Sequence, residues 1–219
     1  MRSPGTRQVA TEARRAQIAS AAIAVLAERG YAETTFEAIC EHAGLSSKRL
    51  ITYHFSSKDR LFEAVVQQVV ADAAAFMRPA LQAAHGARAQ LEAFIRSNIA
   101  FVARHPGHVR AVQQIAFNKA PVGGAERDAA IARIVALFAD GQRTGAFRSF
   151  DCTVMGAALR ASIDTMAERV VDGSDPGVCA DELVELFDRA TRAEESAGAG
   201  DRNQSDRSSK PSKPPKAAP

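Results

Sequence analysis

The sequence predicts an all-α protein of about nine helices, and three observations carry that prediction. Apolar residues recur at three- and four-residue intervals along most of the chain. Gly and Pro interrupt the pattern where helix ends are due, and no convincing strand pattern occurs. Taking the elements in order, Ile18, Ala21, Ala22, Val25 and Leu26 share a face of the first helix, which Gly30 ends. Thr34 with Glu37 has the spacing of a capping box for a second helix, whose apolar face is Phe36, Ile39, Cys40 and Ala43. Gly44 allows a tight turn, Ser46 can cap the third helix, and Leu50 with Ile51 gives that helix its buried side. Ser56 and Ser57 then cap a long fourth helix containing Leu61, Phe62, Val65, Val66 and Val69, running toward Pro79. Further helices are expected from Leu91 to Arg104, from Pro106, from Glu126 to Arg143 beyond "PVGG", from Asp151 to Val171, and from Val178 to Arg192.

Composition narrows the class of protein. An apolar content of 46% with 24% charged residues is ordinary for a folded domain in water. No apolar run approaches the roughly 18 residues of a membrane span, and the charged N-terminus leads into an amphipathic helix rather than an export signal, so a cytoplasmic protein without a membrane partner is expected. Cys40, Cys152 and Cys179 are widely separated and read as small buried apolar groups. The net charge is +3, and the basic excess concentrates early: residues 1–60 hold nine Lys/Arg against six Asp/Glu, while residues 61–194 hold fourteen against sixteen. A basic end of this kind fits a polyanionic partner.

The stretch "GLSSKRLITYHFSSKDRL", residues 44–61, gives that partner a shape. A short helix carried by a preceding helix and turn fits the major groove of B-DNA, with its N-terminal residues toward base edges. Here those residues are Ser46, Ser47, Lys48 and Arg49, with Thr52 one turn later. Tyr53 and His54 at the helix end, Lys58 in the next first turn and Thr35 at the start of the second helix are candidates for phosphate oxygens.

The Ala-rich first helix, Gly-Tyr, Thr-Thr, Ala-Gly, Tyr-His-Phe and Ser-Lys-Asp occur here in the order found in the N-terminal DNA-binding domain of the TetR family of transcriptional regulators, which residues 14–66 resemble. The resemblance implies a larger helical domain that dimerises and encloses a small-molecule pocket. It implies four parts: a flexible arm over 1–12, a helix-turn-helix domain over 13–56, a ligand-binding and dimerisation domain over 57–194, and a tail over 195–219. The tail contains no aromatic or branched aliphatic residue and is expected to be disordered. Arg2 and Arg7 in the arm, and Lys210 and Lys213 in the tail, could add attraction for DNA.

For the pocket, the candidates are Phe76, Met77, Phe94, Asn98, Phe101, Gln114, Phe117, Asn118 and Phe138, which mix aromatic bulk with isolated amides, joined by Met155, Leu159 and Ile163. Such a pocket would take a small apolar or amphipathic molecule. Two late helices have wide apolar faces, and Met155, Leu159, Ser162 and Met166 on one with Leu183, Val184, Leu186, Phe187 and Ala190 on the other are the expected dimer interface. A two-fold axis through it would set the two recognition helices about 34–36 Å apart. Arg160 and Asp164, four residues apart, are expected to pair with each other. His105 and His108 in "RHPGH" read as turn residues with no third ligand nearby, so neither metal nor cofactor is expected. There is no nucleophile elbow, phosphate-cradling Gly loop or carboxylate pair with a nearby His, which argues against an enzyme. The expected protein is a homodimeric repressor released from a palindromic operator by a ligand. The alternative is a dimeric DNA-binding regulator with no ligand.

Overall fold

A computed structural model describes residues 5–118 and 124–193. Among them are nine helices: α1 (Thr6–Glu33), α2 (Phe36–Ala43), α3 (Lys48–His54), α4 (Lys58–Ala83), α5 (Ala87–Arg104), α6 (Pro106–Asn118), α7 (Gly124–Arg143), α8 (Cys152–Val171) and α9 (Pro176–Thr191). Extended pairing among the described residues is confined to one bridge, Phe147 with Arg192. The expected tail, the "PVG" of the α6–α7 connection, and Arg2 lie outside the described residues.

Helical geometry in α1 breaks at Gly30, whose φ of 78° is a conformation that costs a side-chain-bearing residue far more than glycine. The predicted stop is therefore there, followed by one more turn to Glu33. At the other end α1 begins at Thr6, so helix already occupies most of the segment expected as a flexible arm. Pro79 does not end α4 either: the helix continues through it to Ala83.

Two apolar cores organise the chain. The first joins α1, α2, α3 and the start of α4 through Ile18, Leu26, Ile39, Ile51, Phe55 and Phe62, and it also takes in Phe101 of α5 and Ala111 and Ile115 of α6. The boundary expected at residue 56 thus divides the chain without dividing this core. The second core joins α5, α7, α8 and α9 through Ile95, Ile134, Phe138, Leu159, Ile163 and Phe187, with Phe147 from the connection after α7. A tight contact fixes that connection: the Phe147 ring lies so close to Gly141 that a Cβ there would fall 2.0 Å from it. Burying each of these large side chains contributes roughly 1.5–3 kcal/mol.

α1 and α6 meet where α1 breaks. The Tyr31 N–H donates to Gln114 Oε1 at 3.1 Å, and the Thr34 hydroxyl, fully buried, donates to the Gly30 carbonyl at 2.6 Å. Polar groups at the break are therefore satisfied by α6 and by a side chain of the same turn.

Candidate nucleic-acid interface

The polar groups around α3 are arranged by three caps. Thr35 accepts from the Ala38 N–H at 3.1 Å to start α2, Ser47 from the Arg49 N–H at 3.1 Å to start α3, and Ser57 from the Arg60 N–H at 3.2 Å to start α4. Two of these differ from expectation by one residue. Thr34 does not cap α2, because its hydroxyl is committed to Gly30, and Ser46 stays exposed beside the true cap Ser47. Between α2 and α3, Gly44 at φ 63° returns its N–H to the carbonyls of Cys40 and Glu41 and turns the chain.

Ile51 is sealed in the core and Leu50 half-buried beside it, which fixes the opposite side of α3 outward. Lys48, Arg49, Thr52 and Tyr53, at spacings of one and four, lie on that outward face. Tyr53 is 81% exposed. The face therefore offers an ammonium, a guanidinium, a hydroxyl and a phenol, with Ser46 and Ser47 at its N-terminal edge. The Lys48 ammonium donates to Glu37 Oε1 of α2 at 2.6 Å. That bond holds the Glu37 carboxyl below its ordinary pKa and raises that of Lys48.

The flanking candidates are less uniform. His54 is half-buried, and burial, with Arg15 and Arg14 nearby, pushes its imidazole below the usual value, so that it is a neutral donor at neutral pH. Lys58 turns inward. Its ammonium donates to the Tyr31 carbonyl at 3.4 Å and lies 4.8 Å from the Tyr31 ring, at the α1–α6 junction rather than out toward a phosphate. Thr35 spends its hydroxyl on the α2 cap. Two arginines were not foreseen. Arg15 donates to the His54 carbonyl and stacks 4.3 Å over Phe55, and with Arg60 it borders a cleft of about 350 Å³ behind α3. The basic pair at 14–15 is visible in the sequence, but its placement across 39 positions is a product of packing.

The candidates for a ligand pocket are scattered. Phe76 and Phe101 do meet, with ring centroids 5.7 Å apart, beside His105 and His108, and His108 Nε2 lies 3.2 Å from Asp72 Oδ2. Met77 is buried. Asn98 and Asn118 donate to carbonyls one turn back on their own helices, and Gln114 accepts from Tyr31. Phe138, Leu159 and Ile163 fill the second core, with Phe94 and Met155 packed against it, while Phe117 points into solvent at 82% exposure. Phe101 and Phe138 thus fill the interior instead of lining one cavity.

The dimer candidates divide similarly. Leu159, Leu183 and Phe187 are enclosed by their own protomer, which removes them from any interface between subunits. Ser162, Met166, Val184 and Ala190 are half-buried, and Leu186 is exposed. Val154 and Val178 are also exposed on the same two helices. Arg160 does pair with Asp164, and Arg127 of α7 joins them at 3.4 Å.

A three-helix head that presents the outer face of its third helix, set on a helical body, defines a helix-turn-helix protein. Residues 18–65 match the family model described as bacterial regulatory proteins, tetR family. HTH-type transcriptional regulator BetI 2 of Chromohalobacter salexigens is 39% identical over 88 residues, which cover 39% of this chain and 42% of that protein. The chain thus matches less than half the length of this curated relative. A TetR-like transcriptional regulator from Rhodococcus sp. RHA1 superimposes with a TM-score of 0.66 at 27% identity, covering 81% of this chain and 94% of its own. A transcriptional regulator from Saccharomonospora viridis, crystallised in complex with choline, shares the fold with a TM-score of 0.67 at 22% identity, covering 83% of this chain and 98% of its own. The head of this chain, residues 18–65, is thus similar to that of the tetR family of bacterial regulatory proteins, and the whole chain has the fold of TetR-like regulators.

Proposed function

We propose that this chain is a homodimeric DNA-binding transcriptional regulator, a repressor released from a palindromic operator when a small apolar or amphipathic molecule binds its helical body. One observation carries the DNA-binding reading: the inward side of α3 is sealed by Ile51 while Ser47, Lys48, Arg49, Thr52 and Tyr53 stand outward. Guanidinium and ammonium groups donate to guanine O6 and N7, and hydroxyls pair with several base edges, so the face suits a major groove. Val154, Val178 and Leu186, three apolar side chains left in solvent on α8 and α9, support pairing of those helices with a second copy.

The choline complex of the Saccharomonospora viridis regulator supports a small-molecule ligand. Coupling would run through α4, which leaves the head directly, and through Gln114, which ties α6 to the end of α1. A ligand changes DNA affinity only by its differential affinity for the DNA-competent arrangement, and DNA changes ligand affinity by the same factor. A second reading, a dimeric regulator with no ligand, draws on the commitment of Phe138, Leu159 and Ile163 to the core.

The test begins with duplexes selected from a random pool by the full-length protein. Fluorescence anisotropy should show tight binding to the selected sequence, and Arg49→Ala should weaken it about tenfold or more while relaxing sequence preference. Equal binding by parent and variant would reject the groove assignment. A thermal-shift screen of small molecules separates the two readings, since a compound at a hundredfold excess over its Kd should stabilise the protein by about 2.7 kcal/mol.

A further inference from the structure

We infer that Glu37 is a specificity-determining residue: by pairing with Lys48 it withholds that cation from sequence-independent phosphate contacts and keeps it for a base edge. This inference rests on the DNA-binding reading above. Glu37 stands in the first turn of α2, where its carboxylate also accepts from its own backbone N–H, and it reaches across to the first residue of α3. Both partners are 64% exposed, so the pair contributes little to stability. What it changes is the charge the face presents to DNA.

Around it, Glu41 is drawn to Arg29 of α1 at 3.5 Å, leaving Arg49 as the neighbouring cation of the α3 N-terminal face. With Glu37 and Lys48 joined, the cation that end of α3 presents is Arg49. A phosphate approaching Lys48 meets the Glu37 carboxylate as well, and the two anions repel. A base edge is different, because guanine offers acceptors to the ammonium while a cytosine N4 amino group donates to a carboxylate. A matching base step can therefore engage both partners of the pair, whereas a phosphate can take only the ammonium and must do so beside a carboxylate that repels it.

The experiment compares binding of the full-length protein to its own selected operator and to a scrambled duplex of equal length, across a salt series. Glu37→Gln should bind scrambled DNA about three- to tenfold more tightly at low salt, and its log–log salt slope should steepen by about 0.9, the release expected for one added phosphate contact. Operator affinity should rise less, so the ratio between the two duplexes falls. Lys48→Ala should lower operator affinity and leave the slope on scrambled DNA unchanged. An unchanged ratio in Glu37→Gln, or a Lys48→Ala slope shallower by about 0.9, overturns the inference, the latter because Lys48 would already have been on phosphate. Circular dichroism and thermal melting check the α2 N-terminus, and if Glu37→Gln melts early the Lys48→Ala slope decides alone. If the parent protein itself selects no sequence and binds no duplex, the DNA-binding reading fails instead.

Discussion

The two cores of this chain hold similar residues for different ends. In the head, packing with Ile51, Phe55 and Ile39 fixes one side of a seven-residue helix so that its other side remains polar and outward. In the body, Phe138, Phe147 and Phe150 pack together, meeting edge to face or tilted at 5.3–6.4 Å. Its surface is tied by ion pairs such as Arg88–Asp188–Arg192 and Arg96–Asp181. The difference teaches that the same apolar repeat can serve as a mount for an exposed reading face or as a closed interior. Which it is depends on how much of the helix circumference its neighbours cover.

Several substitutions would break or sharpen that contrast. The largest effect is expected from Phe138→Ala, which removes a fully buried ring from the body and should cost about 3–5 kcal/mol in chemical denaturation. Next comes Arg49→Ala, on the exposed face of α3. It should leave the melting temperature nearly unchanged and weaken operator binding by about 1–3 kcal/mol, read by anisotropy. If it instead unfolds the head, the face is structural and the contrast disappears. Ser57→Ala deletes the cap of α4 and should cost about 1 kcal/mol in thermal melting.

The smallest effect concerns pH. Burial, together with His108 and Arg104, pushes His105 below its ordinary value, while Asp72 pulls the other way. A histidine that resists protonation in the fold favours the unfolded chain once the pH drops below the ordinary histidine value. Its contribution is thus complete above about pH 7 and is lost as pH falls through the ordinary value of about 6.5 toward the lowered one. Melting curves between pH 7.5 and pH 5.5, ranges chosen around that value, should show a gradual decline that is shallower in His105→Gln. Parallel curves for the two proteins would remove His105 from the account.

Much of the head was legible because its signals are local. Gly30 and Gly44 mark chain reversals that need positive φ, and a serine or threonine with a free side-chain oxygen stands before each of α2, α3 and α4. Those signals locate a helix start to within a residue. Choosing between Thr34 and Thr35, or Ser46 and Ser47, depends on which hydroxyl is drawn elsewhere, as Thr34 is by Gly30. The body was less legible, since Phe138 and Phe117 carry the same side chain and have opposite environments.

By itself, the sequence determined the helical class, the places where the chain turns, and the family that the head resembles, all of which depend on residues close together in the chain. Only the tertiary structure decided that Lys48 pairs with Glu37, that Lys58 faces Tyr31, and that Gln114 closes the break in α1 rather than a pocket. The physical reason is reach. A cap or a turn is settled within a few residues, whereas an ammonium or an amide takes the best partner that folding brings near it, however distant in sequence.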